Sequence, residues 1–306
     1  MRYEERKQRF LKEYKGAPEG YVLSIFRRAE EFEEAWDKDV AEFKRSEIIG
    51  YLRGLNSTSA ETLRVKTSIL RQYTNFCREL GYPYVNHYNE IGTDELERCV
   101  NRFLLKEKYI SRERLMELID QMDNDCDKFL FLALYEGVGA YGEVYEEVTM
   151  TPVSGIKEHS LVLCTGRELP VSDELIHYAK LAAAQEAYVT QGQSLNGMNN
   201  QAFDKSLGLI MSPRKNCRYP ASKEYAYKRI TTRVAKVKKD LNAKYLSIPR
   251  LQLSGMCREI RKILAENGLT YYEAYKRDDM QAVIKRYGYD NMVAGRLYAA
   301  IRGYLE

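Results

Sequence analysis

The sequence predicts a mainly α-helical protein with a small β-sheet, divided between two domains. The chain has 306 residues, which is more than one domain commonly contains. Apolar residues recur at spacings of three, four and seven over much of its length, as they do in amphipathic helices. Strand-like character is concentrated in one short segment near residues 161–171. With 44% hydrophobic and 30% charged residues, the composition is globular and excludes disordered and fibrous classes.

The first predicted domain, residues 1–105, is helical. Its clearest helix follows possible cap residues at 57–59, extends from Ala60 to Leu80, and ends at Gly81 and Pro83. Further helices are predicted over residues 20–43, 47–55 and 94–105. Residues 106–110 form a charged linker to the second domain.

The second predicted domain, residues 111–306, combines helices with one hairpin. The hairpin pairs residues 161–164 with 169–171 around a turn at Thr165-Gly166. Asp173 is predicted to cap a helix that extends to about Thr190, and residues 191–207 are predicted to form a loop. Other helices are predicted at 112–122, 127–136, from Ser222 to Lys244, and at 254–267, 270–276, 278–287 and 290–304.

Cysteine and histidine spacing gives no sign of a metal centre. The six cysteines lie more than about 20 residues apart and the three histidines are isolated, whereas structural zinc sites use closely spaced ligand pairs. We therefore expect no metal or other cofactor, and most of the cysteines are predicted to be reduced and packed as small hydrophobic residues.

Charge is distributed unevenly along the chain. Between Lys205 and Lys262 there are 16 lysines or arginines against three acids, a net charge of +13, while residues 117–147 hold nine acids and one lysine. This polarity indicates a surface for a polyanion such as DNA. Because no apolar run is long enough for a membrane span and the N-terminus is charged, we expect a cytoplasmic, nucleoid-associated protein without membrane contact.

The glycines at positions 137, 139 and 142 match the G-x-G-x-x-G dinucleotide pattern. That pattern requires a preceding strand and a long following helix, yet Pro152 comes only ten residues after Gly142. We therefore favour a backbone turn after a buried helix over a nucleotide site.

The order of these elements is similar to that of the tyrosine recombinases, or phage integrases, over residues 45–306. A helix with Leu63, Tyr73 and Phe76 precedes a larger domain that carries a hairpin, a basic helix and a C-terminal segment from Gly288 to Tyr298. The resemblance implies a helical, SAM-like core-binding domain followed by a catalytic-type domain, with DNA clamped between them. It also implies tyrosine attack on a phosphate that arginines, a lysine and a histidine or tryptophan stabilise.

The positions that carry this chemistry in the family hold other residues here. The first arginine falls on Gly139 or Ala140, the hairpin lysine on Cys164, the histidine on Ser254, the second arginine on Cys257, and the histidine or tryptophan on Tyr289. Only the nucleophile keeps its type, as Tyr298. Because one lost preorganised donor can cost about 2.7–4 kcal/mol of transition-state stabilisation, we predict no recombinase activity and regard Tyr298 as a vestigial position.

The basic residues still predict binding to double-stranded DNA. The chain resembles an integrase-derived phage repressor, which implies a sequence-specific transcriptional regulator at operator sites that controls lysis and lysogeny. A second copy of the chain or a phage-encoded protein is a further candidate partner. The candidate DNA contacts are Arg64, Lys66, Arg71, Arg214, Lys215, Arg218, Lys223, Lys228, Arg229, Arg233, Lys236, Arg258, Arg261 and Lys262.

Two alternatives remain open at the level of sequence. One is a divergent recombinase that uses Tyr298 with unusual donors such as Arg258, Arg261 or Arg296. The other is an accessory protein that binds a partner recombinase through the acidic segment 117–147.

Overall fold

The computed structural model describes two compact units, Met1–Leu105 and Lys106–Glu306, each with its own hydrophobic core. Helices predominate in both units, and the predicted fold class, mainly α with little sheet, is confirmed. The described residues are 2–139, 146–189, 200–215, 222–270, 273–274 and 279–288, together with 295, 297, 300, 301 and 304.

The first unit is a bundle of helices in which α4 is the longest. The predicted start of α4 is confirmed, because the Ser59 hydroxyl accepts a hydrogen bond from the backbone N–H of Thr62 at 3.3 Å. The helices are α1 (Glu4–Glu13), α2 (Glu19–Trp36), α3 (Arg45–Gly54), α4 (Ala60–Glu79), α5 (Thr93–Arg98) and α6 (Arg102–Glu107), with 3-10 turns at Val40–Glu42 and His87–Glu90.

The single helix predicted over residues 94–105 is wrong, because the chain breaks between α5 and α6. At the break, the backbone N–H of Asn101 donates to the Ser57 carbonyl at 2.8 Å, and the Asn101 side chain accepts from the N–H of Leu104 at 2.9 Å. Asn101 thus caps α6 and ties it to the turn before α4. Two residues of the predicted linker, Lys106 and Glu107, belong to α6.

A buried ionic network fixes α1 in the first unit. The Lys7 ammonium lies 2.6 Å from the Glu33 carboxylate, and both side chains are fully buried. Nearby, Asp39 accepts from the Tyr73 hydroxyl at 2.9 Å and pairs with Arg6 at 3.1 Å. Burial raises the pKa of both Glu33 and Asp39 above the usual carboxyl range. Losing one partner would therefore leave an uncompensated charge in the core.

The second unit is built around α8, which is buried along almost its whole length. Both α10 and α12 pack against it. The predicted hairpin is confirmed, with Leu161 paired opposite Leu169. The elements are α7 (Arg112–Asp120), α8 (Asp125–Glu136), α9 (Glu146–Met150), β1 (Ser160–Val162), β2 (Glu168–Pro170), α10 (Asp173–Ala184), β3 (Ala187–Val189), β4 (Asn200–Ala202), α11 (Lys223–Asp240), α12 (Ile248–Asn267) and α13 (Asp279–Arg286), with a 3-10 turn at Val153–Gly155.

A second antiparallel sheet replaces part of the predicted helix and loop after Asp173. The helix ends at Ala184, and β3 pairs with β4 so that Tyr188 lies opposite Gln201. The Asn124 side chain continues the ladder, because it donates to the Val189 carbonyl at 3.0 Å and accepts from the Val189 N–H at 2.8 Å. Ser172, rather than Asp173, caps α10 by accepting from the N–H of Leu175 at 3.2 Å.

The glycine pattern that follows α8 does not belong to a dinucleotide fold. The residues before Gly137 form α8 and not a strand, and Gly137 ends that helix in a left-handed conformation with φ of 97°. The predicted turn after a buried helix is therefore confirmed at Gly137, whereas Gly142 lies outside the described residues. The dinucleotide alternative lacks the strand it requires.

Four of the five described cysteines are buried, in agreement with the prediction that most are packed, and Cys217 lies outside the described residues. Cys77, Cys99, Cys126 and Cys257 are buried thiols, whereas Cys164 is exposed on the β1–β2 turn. Among the described residues, histidine, cysteine and acidic side chains do not gather in groups suited to a metal ion. The described helices also include none with the length and apolar character needed to cross a membrane.

Candidate nucleic-acid interface

The positions aligned with the recombinase catalytic residues hold no cationic side chain where the structure describes them. Gly139 has a positive φ of 86°, and Cys164 lies at the hairpin turn. Ser254 and Cys257 are buried on α12, where the Ser254 hydroxyl accepts from the backbone N–H of Ile110 at 3.0 Å. Ala140, Tyr289 and Tyr298 lie outside the described residues.

A buried carboxylate on α9 organises the space between the hairpin and the end of α8. Glu147 is 1% exposed and accepts from the Thr165 hydroxyl at 2.8 Å and from the Gly139 N–H at 3.0 Å. Arg167 donates to the same carboxylate through Nε at 3.0 Å and Nη2 at 2.5 Å. We call Glu147, Thr165 and Arg167 the Glu147 cluster.

The remaining donors of Arg167 are also used inside the fold. Its Nη2 donates to the Gly137 carbonyl at 3.0 Å, and its Nη1 donates to the Arg286 carbonyl at the end of α13. The guanidinium therefore ties the hairpin to α8, α9 and α13. A side chain whose donors are so engaged has little left for a phosphate, although sequence places Arg167 near the hairpin lysine position.

The close contact of α12 with α8 depends on a glycine. A Cβ atom on Gly255 would lie 1.9 Å from the Tyr135 carbonyl oxygen and 2.2 Å from the Tyr287 hydroxyl. That hydroxyl, which is fully buried, donates to the same carbonyl at 2.6 Å. The segment aligned with the histidine and second arginine is therefore packed as helix-to-helix core.

The outer face of α11 forms an exposed basic stripe. Lys228, Thr232, Ala235 and Lys239 are all exposed and fall within a narrow angular range at 100° per residue. We call these four residues the α11 stripe. Its two lysines are about 16 Å apart along the axis, and the two stripe residues between them, Thr232 and Ala235, have short side chains. Lys238 is exposed beside the stripe.

The inner face of α11 carries two arginines that the sequence assigns to DNA contact. Arg233 is only 6% exposed and pairs with Asp127 of α8 at 3.1 Å, so its prediction as a DNA contact is corrected to a core role. Arg229 donates to the carbonyls of Met211 and Ser212 at 2.9 and 2.5 Å. Burial lowers the pKa of Arg229 to about 10, and the neighbouring charge of Arg233 adds to this effect.

The segment before residue 216 adds two exposed cations next to α11. Arg214 and Lys215 are both exposed, and backbone hydrogen bonds join the segment to β4 and Phe203. The Arg214 guanidinium lies 5.5 Å from the ring centre of Tyr188. Lys236, half-buried on α11, lies 5.1 Å from the same ring. Arg218 and the Lys223 side chain lie outside the described residues.

The candidate contacts on α12 have partners within the chain. Arg258 pairs with Glu259 at 3.3 Å, and Lys262 lies 3.8 Å from Glu266. Arg261 donates to the Tyr304 carbonyl at 2.5 Å and lies over the Tyr109 ring. Arg258 is half-buried and Arg261 is exposed, and each gives one hydrogen bond within the chain, so both keep donors that could meet a phosphate.

In the first unit, the three candidate contacts differ in their surroundings. Arg64 is exposed and pairs with Glu61 at 2.7 Å. Lys66 and Arg71 are half-buried, and burial together with the charge of Arg28 lowers the pKa of Lys66. An exposed pair such as Arg64–Glu61 is weak and exchanges readily for a phosphate.

Three acids of the segment 117–147 serve as internal counter-charges. Its buried members are Asp127, paired with Arg233; Glu136, paired with Arg112 at 2.8 Å; and Glu147, paired with Arg167. The sequence could not show this, because each partner is at least 20 positions away. These three acids are therefore not free for docking, whereas Glu117, Asp120 and Asp123 are exposed.

Comparison with known proteins gives matches to both units. The model of the MrpR N-terminal core-binding domain matches residues 1–79, and that of the MrpR C-terminal catalytic domain matches residues 109–305. An uncharacterized SPbeta prophage-derived protein, YopR of Bacillus subtilis strain 168, is 26% identical over 198 residues. That match covers 60% of each chain, so the present chain spans about 60% of the length of this curated relative. The two matched domains together show that the chain belongs to the MrpR family, with its integrase-like core-binding and catalytic-type organisation.

Proposed function

We propose that this protein is a sequence-specific, DNA-binding transcriptional regulator of phage or prophage origin that does not cleave DNA. The observation that carries the proposal is the contrast between two regions of the second unit. The α11 stripe and Arg214–Lys215 leave cations exposed, whereas the Glu147 cluster uses its cation inside the fold. DNA binding needs only the first kind of surface.

The α11 stripe suits a helix that enters the major groove. That groove is about 12 Å wide, so lysines about 16 Å apart along a helix can reach phosphates on its two sides. Thr232 and Ala235 are short enough to let the helix approach the base edges, where a hydroxyl and a methyl group distinguish bases. Phosphate contacts would then supply affinity, and the centre of the stripe would supply specificity.

The absence of cleavage follows from chemistry rather than from shape. A pentavalent phosphate gathers negative charge that fixed, multidentate donors must meet. Cys164, Ser254 and Cys257 provide no such donors, and Arg167 has four of its donors engaged by internal acceptors. The match to a prophage-derived protein supports a role in a phage or prophage, with repression that controls lysis and lysogeny as the finer form of the proposal.

The test begins with selection of fragmented genomic DNA from the source organism by the purified full chain. A few enriched sites near promoters, repressed in a reporter strain by the protein, are the expected result. Enrichment without repression would contradict the regulatory role. No enrichment at all would contradict sequence-specific binding.

A further inference from the structure

The ring of Tyr188 is shared by three cations from two separate segments. Its centre lies 4.8 Å from the Arg233 guanidinium, 5.1 Å from the Lys236 ammonium and 5.5 Å from the Arg214 guanidinium. Since Arg214 and Lys236 face one ring, their charged groups are at most 10.6 Å apart, the sum of the last two distances. Aromatic rings attract cations at such distances, so the ring holds together charges that repel one another.

Tyr188 is itself firmly placed. Its hydroxyl donates to the Asp127 carboxylate at 2.8 Å, and the residue is 3% exposed. Its ring packs edge-on against Phe203 at 6.4 Å. The Asn124 side chain donates to the carbonyl of Val189, the next residue of β3, and accepts from its N–H. The Gln185 side chain donates to the Ala187 carbonyl at 2.8 Å. The ring is therefore a fixed support and not a surface side chain.

The three cations around the Tyr188 ring have different roles. Arg233 lies in the core, where it pairs with Asp127 at 3.1 Å and donates to the Cys126 sulfur at 3.1 Å. Arg214 is exposed and Lys236 is half-exposed, so the charged groups of both side chains reach solvent. Both groups lie close to the Tyr188 ring, so they are near each other at the surface.

We propose that Tyr188 is a positioning residue that holds Arg214 and Lys236 as one phosphate-binding patch for DNA. The inference rests on the proposed function. The ring fixes two flexible cations, from the 213–215 segment and from α11, before DNA arrives. Less side-chain freedom is then lost on binding, and the patch joins the α11 stripe into a longer track along the DNA backbone.

The test compares Tyr188→Phe with Tyr188→Leu in the full chain, by fluorescence anisotropy with a selected DNA site at a series of salt concentrations. Tyr188→Phe keeps the ring and loses only the hydrogen bond to Asp127. We expect it to retain the wild-type salt dependence. Tyr188→Leu loses the ring, and we expect its log–log salt slope to fall by about one to two, at 0.9 per phosphate contact, with affinity reduced on the order of tenfold or more.

Arg214→Ala combined with Lys236→Ala provides an independent arm that leaves the core intact. We expect this double variant to lose as much salt slope as Tyr188→Leu, and the triple variant to lose no more. If Tyr188→Leu does not fold, the double variant alone decides, because an unchanged salt slope would overturn the proposal. Equal losses for Tyr188→Phe and Tyr188→Leu would also overturn it, since the hydroxyl and not the ring would then matter.

The outcome separates this inference from the function on which it rests. Wild-type protein that selects and binds DNA while the Tyr188 and cation variants behave normally refutes the positioning role alone. Wild-type protein without salt-dependent DNA binding refutes both.

Discussion

Glu147 is a buried acid that four hydrogen bonds hold, two of them from Arg167. At the level of single residues, this cluster gives Arg167, three positions after Cys164, a structural role. Arg167 lies two positions beyond the hairpin turn residue Thr165, and its partner Glu147 is 20 residues earlier. Sequence spacing could not join them, because only the folded hairpin brings the two together.

We expect that removing Arg167 destabilises the fold, because its role is structural and not catalytic. Arg167→Ala leaves the Glu147 carboxylate buried without its main partner, which should lower the free energy of unfolding by about 3 kcal/mol or more. Glu147→Gln in the same chain should recover part of that loss. Urea unfolding of the two single variants and the double variant measures the coupling, and an Arg167→Ala protein as stable as wild type would contradict the structural role.

Cys164 is expected to be the readily alkylated thiol among the described cysteines. Burial and the charges of Glu147 and Glu146 raise its pKa, so at pH 8 its thiolate fraction, and its rate with iodoacetamide, should be below those of an unstructured cysteine. The rate should rise as the pH increases, because deprotonation produces the nucleophile. Cys77, with a pKa raised to about 11 by burial, and Cys257, raised to about 12, should be protected.

Peptide mass spectrometry on the folded protein separates these sites, with urea-unfolded protein as the control. Faster labelling of Cys257 than of Cys164 would be inconsistent with the packing of α12 on α8.

At the level of secondary-structure elements, α11 has two faces with opposite uses. Sequence composition indicated a basic helix and placed its start at Ser222, which accepts from the N–H of Tyr225 at 3.1 Å. It could not divide the cations, because the burial of Arg233 depends on Asp127, more than 100 positions away. The cations of such a helix can be assigned to DNA or to the core only when the packing partner of the buried face is known.

Substitutions on the two faces of α11 should therefore differ in kind. Lys228→Ala with Lys239→Ala should leave stability within about 0.5 kcal/mol of wild type and should lower the salt slope of DNA binding by about 1.8. Arg233→Ala should instead reduce stability by about 3 kcal/mol, since it leaves Asp127 buried and unpaired. Thermal unfolding and salt-dependent anisotropy are the paired measurements. A stable Arg233→Ala protein with weakened DNA binding would contradict the assignment of Arg233 to the core.

The close contact between α12 and α8 can be tested at Gly255. Gly255→Ala would place a Cβ atom 1.9 Å from the Tyr135 carbonyl oxygen, so the helices must separate. We expect a loss of about 3 kcal/mol or more from this overpacking. Gly50→Ala in α3 is the matched control: its Cβ atom would meet Trp36 at an ordinary 3.7 Å, and the change should be neutral or stabilising. Equal stability of the two variants would refute the close approach.

Across the whole molecule, the features that could be predicted best from the sequence were those that depend on a few adjacent residues. The cap at Ser59, the hairpin around Gly166 and the left-handed end of α8 at Gly137 each depend on a few adjacent residues. The errors share a different cause. The breaks at Asn101 and after Ala184 are made by side chains from distant segments, Asn56 and Asn124 among them, which compete with helix propensity.

The candidate site shows the same difference between local features, which could be predicted, and contacts between distant residues, which could not. The replaced catalytic positions, such as Cys164 and Cys257, could be assigned from sequence with the help of the family resemblance. The interior partners of Arg167 and Arg233, and the common ring that gathers Arg214 and Lys236, exist only in the folded chain. Those contacts decide which cations remain for DNA.

The most direct test of DNA binding without cleavage is recovery of bound genomic fragments, with each complex run on native and denaturing gels. We expect a few discrete sites whose complexes dissociate in salt and leave no protein–DNA adduct under denaturing conditions. Wild type and Tyr298→Phe should behave alike. A covalent adduct that survives denaturation in the wild type and is absent from Tyr298→Phe would contradict the account and would establish a working recombinase.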